Sequence, residues 1–273
     1  MVDMDSQTEL EPAPDAQTPE ADGALVRCEG LFRLHGQKGE ETAILRGVDC
    51  AVERGRFVCI MGPSGSGKST LLHLISGLDE PSAGRVLLDG KDLSAIAPGQ
   101  RTLLRRATVG YVFQFFNLLP NLSVQENVAL PLVIDGKPRE EQARIVPPLL
   151  ERFGIEKRAR ALPHELSGGE MQRASIARAL IGGQPLLLCD EPTGNLAQAA
   201  GREVMEELRR ACDEDGRTVV LVTHNPRDAS FADRVLLLVD GELHDAAAEG
   251  GEALRGPGIP EADIVAALAR YAI

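Results

Sequence analysis

The stretch Gly62-Pro63-Ser64-Gly65-Ser66-Gly67-Lys68-Ser69-Thr70 has the residue types and spacing of a loop that holds phosphate. It fits G-x-x-x-x-G-K-[ST] at every fixed position: Gly62, Gly67, Lys68 and Ser69. Glycines let backbone N–H groups turn inward around a phosphate, and a following helix adds the positive end of its dipole. Lys68 is then placed to reach the β- and γ-phosphates of a nucleotide, and Ser69 to ligate Mg²⁺. In a second stretch, Leu186 to Cys189 form an apolar run that ends in two acids, Asp190 and Glu191. At the end of a strand beside the phosphate loop, Asp190 can hold Mg²⁺ directly or through water. Capping a helix is the weaker alternative for it. In a third stretch Ser167, Gly168 and Gly169 open a helix, so their N–H groups and the hydroxyl form a second anion site. Gln114 and His224 each follow an apolar strand, and of the five histidines only His224 does so.

These residues need elements to position them. Arg56 to Met61 reads as a buried strand entering the phosphate loop, and Leu71 to Ile75 as the helix leaving it. Residues 108–113, 186–190, 218–223 and 234–239 read as further strands, with helices at 167–181 and 201–213 between them. Buried strands alternating with helices imply a mainly parallel sheet covered on both faces. Short strands near 24–28, 43–52 and 85–88, joined by turns such as Asp89-Gly90, read as an antiparallel piece beside that sheet. Residues 123–165 read as mostly helical, with Pro131, Pro147 and Pro148 as breaks. The expected class is therefore α/β, with an antiparallel β piece and a helical insertion at about 115–180.

The net charge of −12 lies at the two ends. Residues 1–22 carry −7 and residues 240–273 carry −5, which leaves the middle close to neutral. No basic block is present to bind nucleic acid, and with no tryptophan and few aromatics the chain lacks a stacking platform for single strands. Residues 1–22 are expected to be a disordered acidic tail. Residues 23–245 are expected to be the folded domain, and 246–273 an extension with a Gly-rich link and a short helix at 261–271. The five cysteines form no metal-ligand pairs, which fits a reducing, cytoplasmic setting. No apolar run reaches the roughly 18 residues of a membrane span.

Leu166-Ser-Gly-Gly-Glu170, Asp190-Glu191-Pro-Thr-Gly-Asn-Leu196 and Thr223-His224, taken with the phosphate loop and Gln114, resemble the ATP-binding-cassette (ABC) ATPases. The likeness runs from about residue 25 to 243. It implies a P-loop NTPase fold that binds ATP and Mg²⁺ through residues 62–70, with Ser69, Gln114 and Asp190 around the metal. It implies Glu191 as the general base on the attacking water, Gln114 as a contact to metal and water, and His224 on the γ-phosphate. Ser167, Gly168, Gly169 and Glu170 would act in trans, closing over the nucleotide of a second copy in a head-to-tail dimer. Two positions depart from the family. Ala197 stands where an Asp is usual, in the loop that crosses the dimer interface, and His35 stands where an aromatic often stacks on adenine. Whether His35 stacks or is an exposed loop residue stays open.

Residues 112–128, with Glu191-Pro-Thr-Gly-Asn-Leu196, look like the lipoprotein-release and macrolide-export group of bacterial ATPases. That likeness implies a subunit on the inner face of the cell membrane that drives a separate permease. Phe115, Phe116, Leu118 and Leu119 are candidates for holding the permease, or alternatively for packing the insertion's core. A second reading is an ATP-dependent switch with slow hydrolysis, regulating a membrane partner such as a cell-division or cell-wall complex. DNA-repair types usually insert coiled coils or zinc modules, and translation types commonly fuse two cassettes; neither feature is present here.

Overall fold

The computed structural model describes residues 23–36, 41–246, 256 and 258–271. The acidic tail expected at 1–22, most of the loop between the first two strands and most of the Gly-rich link lie outside those residues. Strands β1 (Ala24–His35), β2 (Thr42–Glu53), β4 (Ala83–Leu88) and β5 (Lys91–Asp92) form an antiparallel sheet in the order β2-β1-β4-β5. The other sheet holds β3 (Phe57–Met61), β6 (Val109–Val112), β7 (Leu186–Asp190), β8 (Thr218–Thr223), β9 (Arg234–Val239) and β10 (Glu242–Asp245). Its order is β10-β9-β3-β8-β7-β6, with every pairing parallel except β10 on β9.

The central strands are apolar throughout because both of their faces are buried. Side chains alternate across a strand, and the two cores of the molecule sort by that alternation. Phe57, Cys59 and Met61 of β3 join Leu187, Cys189, Val219, Leu221, Val235 and Leu237 in one core. Val58 and Ile60 join Leu186, Leu188, Val220, Val222, Leu236 and Leu238 in the other. Helix α1 (Lys68–Ser76) and the antiparallel sheet close the second core. Helices α5 (Gly168–Leu180) and α6 (Gln198–Asp213) cover the first. Each fully buried Leu, Val or Phe in these layers contributes about 1.5–3 kcal/mol relative to exposure.

The segment expected to be broken by prolines is instead two continuous helices, α3 (Val124–Ile134) and α4 (Arg139–Arg152). Pro131 lies inside α3, and Pro147 and Pro148 lie inside α4. A proline in mid-helix removes an N–H that would bond the carbonyl four residues back. In α4 the carbonyls freed in this way belong to Ala143 and Arg144, both exposed, so water can satisfy them. Packing of Val146 and Leu150 into the core holds the helix together across the gap. The start of α3 is fixed by a capping box in which Ser123 N–H and Oγ donate to Glu126 Oε2 at 2.8 and 2.6 Å.

Residues 98–107, for which the sequence suggests no element, form a helix together with Thr108, which the sequence places at the start of the next strand: α2 (Pro98–Thr108). It buries only Leu104 and Thr108, so its apolar stripe is too thin to read as a period; Pro98 in its first turn is the one start signal. A four-residue turn of helix, α7 (Pro226–Ala229), follows His224, and α8 (Glu261–Arg270) packs on it and buries Ile264, Ala267 and Leu268 in the core. Among the described residues no helix is long and apolar enough to cross a membrane.

Candidate functional site

Four neighbouring parallel strands, β3, β8, β7 and β6, end on the same edge of the sheet. The phosphate loop follows β3, His224 follows β8, Asp190 ends β7 and Gln114 lies just past β6. The topology therefore gathers residues that are 162 positions apart in sequence. This is the crevice at the carboxyl ends of strands where open α/β sheets bind ligands.

Gly67 sets the geometry of the loop. It is the N-cap of α1 with φ of 100°, in the left-handed region that side chains disfavour. A Cβ there would also lie 2.9 Å from Ile44 Cγ2 of β2, so the antiparallel sheet packs directly on the loop. Gly62 has no room either, since a Cβ would strike the carbonyl oxygen of Leu238. The first-turn N–H groups of α1, from Lys68 to Thr70, have no partner within the helix and face the ligand end of the dipole. Lys68 is buried, and its ammonium donates to the carbonyls of Gly62 and Pro63 at 3.0 and 2.8 Å. Burial pulls its pKa down, while Glu191 and Asp190 pull it back up. Two of its three donors are thus engaged, and one remains for an anion. Ser66 Oγ is buried within the loop without a hydrogen-bond partner.

Ser69 Oγ donates to Asp190 Oδ1 at 3.0 Å. Burial raises the pKa of Asp190, and the bond from Ser69 opposes that shift. A hydroxyl and a carboxylate this close, at the mouth of a phosphate loop, are the hard oxygen ligands that Mg²⁺ takes along with phosphate oxygens. The residues present therefore fit the cation.

Glu191 departs from ordinary backbone. Its φ of 43° is left-handed, unusual for a residue with a side chain. Its N–H still donates to Val222 O at 2.9 Å, so the chain leaves β7 and turns at once. The turn brings Glu191 Oε1 to 3.1 Å from His224 Nδ1, and Oε2 to 3.5 Å from Gln114 Nε2. The first is a hydrogen bond; the second is at the limit of one. The Glu191 side chain is 19% exposed and that of His224 is 64% exposed, so the pair stands at the mouth of the site. A carboxylate between an imidazole and an amide can accept a proton from water and be held in place while doing so.

Supporting residues that sequence reasoning missed fix this cluster. Asp228, only 6% exposed, accepts from the hydroxyls of Thr193 and Thr223, tying the loop after Glu191 to the end of β8. Burial pushes its pKa up, and the two hydroxyls hold it down in part. Asn195 Nδ2 donates to the Gln114 carbonyl at 3.0 Å. Arg178 of α5 donates to the carbonyls of Asn117 and Phe116 at 2.6 and 2.8 Å; both residues have left-handed φ. No sequence pattern marks these contacts, because each joins segments that meet only after folding.

Ser167 is the N-cap of α5, and its N–H and Oγ donate to Glu170 Oε2 at 2.9 and 2.8 Å. Arg158 adds an ion pair at 2.9 Å. The backbone and hydroxyl bonds of Ser167, with Arg158, hold the Glu170 carboxyl down at about 2. Gly168 approaches Leu196 and Phe116, so the opening of α5 sits beside the Asn195–Ala197 loop. Ala197 is the N-cap of α6 and offers no side-chain cap. His35 is exposed at the end of β1. Phe115 is 70% and Leu119 44% exposed, whereas Leu118 packs on the core.

A family model described as ABC transporter matches residues 45–194. The lipoprotein-releasing system ATP-binding protein LolD 2 of Caulobacter vibrioides is 47% identical over 219 residues, which cover 80% of this chain and 96% of that protein. The macrolide export ATP-binding/permease protein MacB of Neisseria gonorrhoeae is 41% identical over 220 residues, covering 81% of this chain but 34% of that longer protein. Among solved structures, the ATP-binding cassette MJ0796, a dimer in a post-hydrolysis state bound to ADP and Pi, superposes with a TM-score of 0.74. It is 38% identical, and the match covers 81% of this chain and 98% of that one. The chain belongs to the ABC transporter family as one of its ATP-hydrolysing cassettes.

Proposed function

We propose that this cassette dimerises head to tail on ATP and drives a separate membrane permease of the lipoprotein-release or export type. The observation that carries the reading is the Glu191–His224 contact, 3.1 Å long, beside the Ser69–Asp190 pair. In this reading Gly62 to Thr70 hold the phosphates of ATP. Lys68 neutralises their charge, and Ser69, Asp190 and Gln114 hold Mg²⁺. When bound, Mg²⁺ would offset the charge that develops in phosphoryl transfer. Glu191 takes the proton of the attacking water, Gln114 orients that water, and His224 holds the γ-phosphate and steadies Glu191. Ser167 to Glu170 of a second copy close the other side of the nucleotide, which makes ATP the cement of the dimer and its hydrolysis the release.

The cassette spans residues 23–245 in this proposal, residues 115–180 form the helical subdomain that meets the permease, and 246–273 are an extension. Phe115 and Leu119, exposed just after Gln114, give that surface an apolar contact. The names of the LolD relatives support lipoprotein release, and the protein then sits on the cytoplasmic face of the membrane. The uncapped Ala197 in the interface loop favours a second reading, a slow switch acting on a membrane partner.

The composite site has a direct test in variant mixing. Lys68→Ala removes the phosphate-loop half and Ser167→Arg the half in trans, so each variant alone should be inactive. A mixed dimer carries one intact site, so a one-to-one mixture should regain about a quarter of wild-type phosphate release if subunits pair at random. No gain over either variant alone would refute the shared site.

A further inference from the structure

Cys28 and Cys50 take no part in the nucleotide site, yet they are direct partners in the antiparallel register of β1 and β2. As directly opposed residues of an antiparallel pair, their side chains project from the same face of the sheet. Residues directly opposite in such a ladder have Cα atoms about 4.5–5.5 Å apart, inside the roughly 4.4–6.8 Å that a disulfide spans. The two thiols are not equivalent. Cys28 is 2% exposed, whereas Cys50 is only partly buried. Arg234 of β9 donates to the carbonyl of Ala51, next to Cys50, and so brings a positive charge to that thiol. The neighbouring Cys28 thiol and the Arg234 charge lower the pKa of Cys50, while Cys50 and burial raise that of Cys28. The remaining cysteines, Cys59, Cys189 and Cys212, are all buried.

We propose that Cys28 and Cys50 form a peroxide-reactive dithiol, in which Cys50 is oxidised first and Cys28 resolves it as a cross-strand disulfide. The Cys50 thiolate attacks an oxygen of hydrogen peroxide; the O–O bond breaks, and hydroxide leaves with the proton given up by the Cys50 thiol as water. Cys50 is then a sulfenic acid. The Cys28 sulfur attacks the Cys50 sulfur, the S–S bond forms as the S–O bond breaks, and the Cys28 proton leaves with the hydroxide as a second water. Two thiols lose two electrons, and one peroxide becomes two waters. The bond ties β1 to β2, the strand whose Ile44 and Leu45 lie on Gly67 of the phosphate loop. It also closes the stretch that holds His35, so oxidation braces the wall of the nucleotide site.

The test is to treat the full-length native protein with hydrogen peroxide, block free thiols, and map peptides without reduction. The expected product is a Cys28–Cys50 cross-linked peptide two hydrogens lighter than the sum of its parts, with a denaturation midpoint above that of the reduced protein. With Cys28→Ala, dimedone should label Cys50 as the trapped sulfenic acid; with Cys50→Ala, Cys28 should stay unlabelled. Limiting iodoacetamide on the unmutated protein should alkylate Cys50 before any other cysteine, which keeps the order testable even if a variant fails to fold. Absence of the cross-link after peroxide, or first alkylation at Cys28 or at a cysteine outside the pair, would overturn the proposal.

Discussion

At the scale of single residues, the site depends on a few polar contacts made at the ends of strands. His224 Nδ1 donates to the Glu191 carboxylate at 3.1 Å and has no place in the core, so His224→Ala should spare the fold and ATP binding. Phosphate release should fall by roughly two orders of magnitude, the size expected for loss of one oriented polar group at a transition state. Binding of a fluorescent ATP analogue measured beside phosphate release separates the two effects. Glu170 gives a prediction of opposite character, concerning stability. Its carboxyl, held at about 2 by Ser167 and Arg158, is depressed below an ordinary glutamate. A depressed carboxyl stabilises the fold above its unfolded pKa, and the contribution is lost as pH falls toward the folded value. The denaturation midpoint of Glu170→Gln should therefore lie below wild type at pH 7. That gap should narrow as pH falls from about 4.5 toward 2, and a gap independent of pH would remove the carboxylate from the account.

At the scale of elements, Ala197 and α8 are the places where this chain can be changed most cleanly. Ala197 caps α6 without a side-chain acceptor, so Ala197→Asp should add about 1 kcal/mol in chemical denaturation. It should also make hydrolysis faster or more cooperative, and no change in either would show the alanine to be neutral. Helix α8 is held by Ile264 at 0% exposure, and Ile264→Ala should cost about 2–5 kcal/mol by urea unfolding. Elements with strong periods or strong flanks were legible in the sequence: β3 into the phosphate loop, β7 into Asp190 and β8 into His224. The prolines of α3 and α4 misled, because a proline signals a break only where packing does not hold the helix through it. Helix α2 was illegible for the opposite reason, since it buries two side chains and presents arginines elsewhere. The contacts of Asp228, Asn195 and Arg178 could not be read at all, as they depend on loops that approach through the sheet order.

At the scale of the whole molecule, the proposed function has one chain supply two unlike halves of a nucleotide site. The strand edge holds the phosphate loop, Asp190, Glu191, Gln114 and His224, while Ser167 to Glu170 open α5 beside the Asn195–Ala197 loop. The solved relative with ADP and Pi is itself a dimer. In the proposed dimer a second copy brings the opening of α5 to a phosphate, and Glu191 decides how long the closed form lasts. Removing that carboxylate while keeping its shape tests this most directly. Glu191→Gln, incubated with ATP and Mg²⁺ and followed by sedimentation and phosphate release, should accumulate as a dimer while hydrolysis falls by about two to four orders of magnitude. A variant that remains monomeric with ATP and hydrolyses it at the wild-type rate would contradict the account.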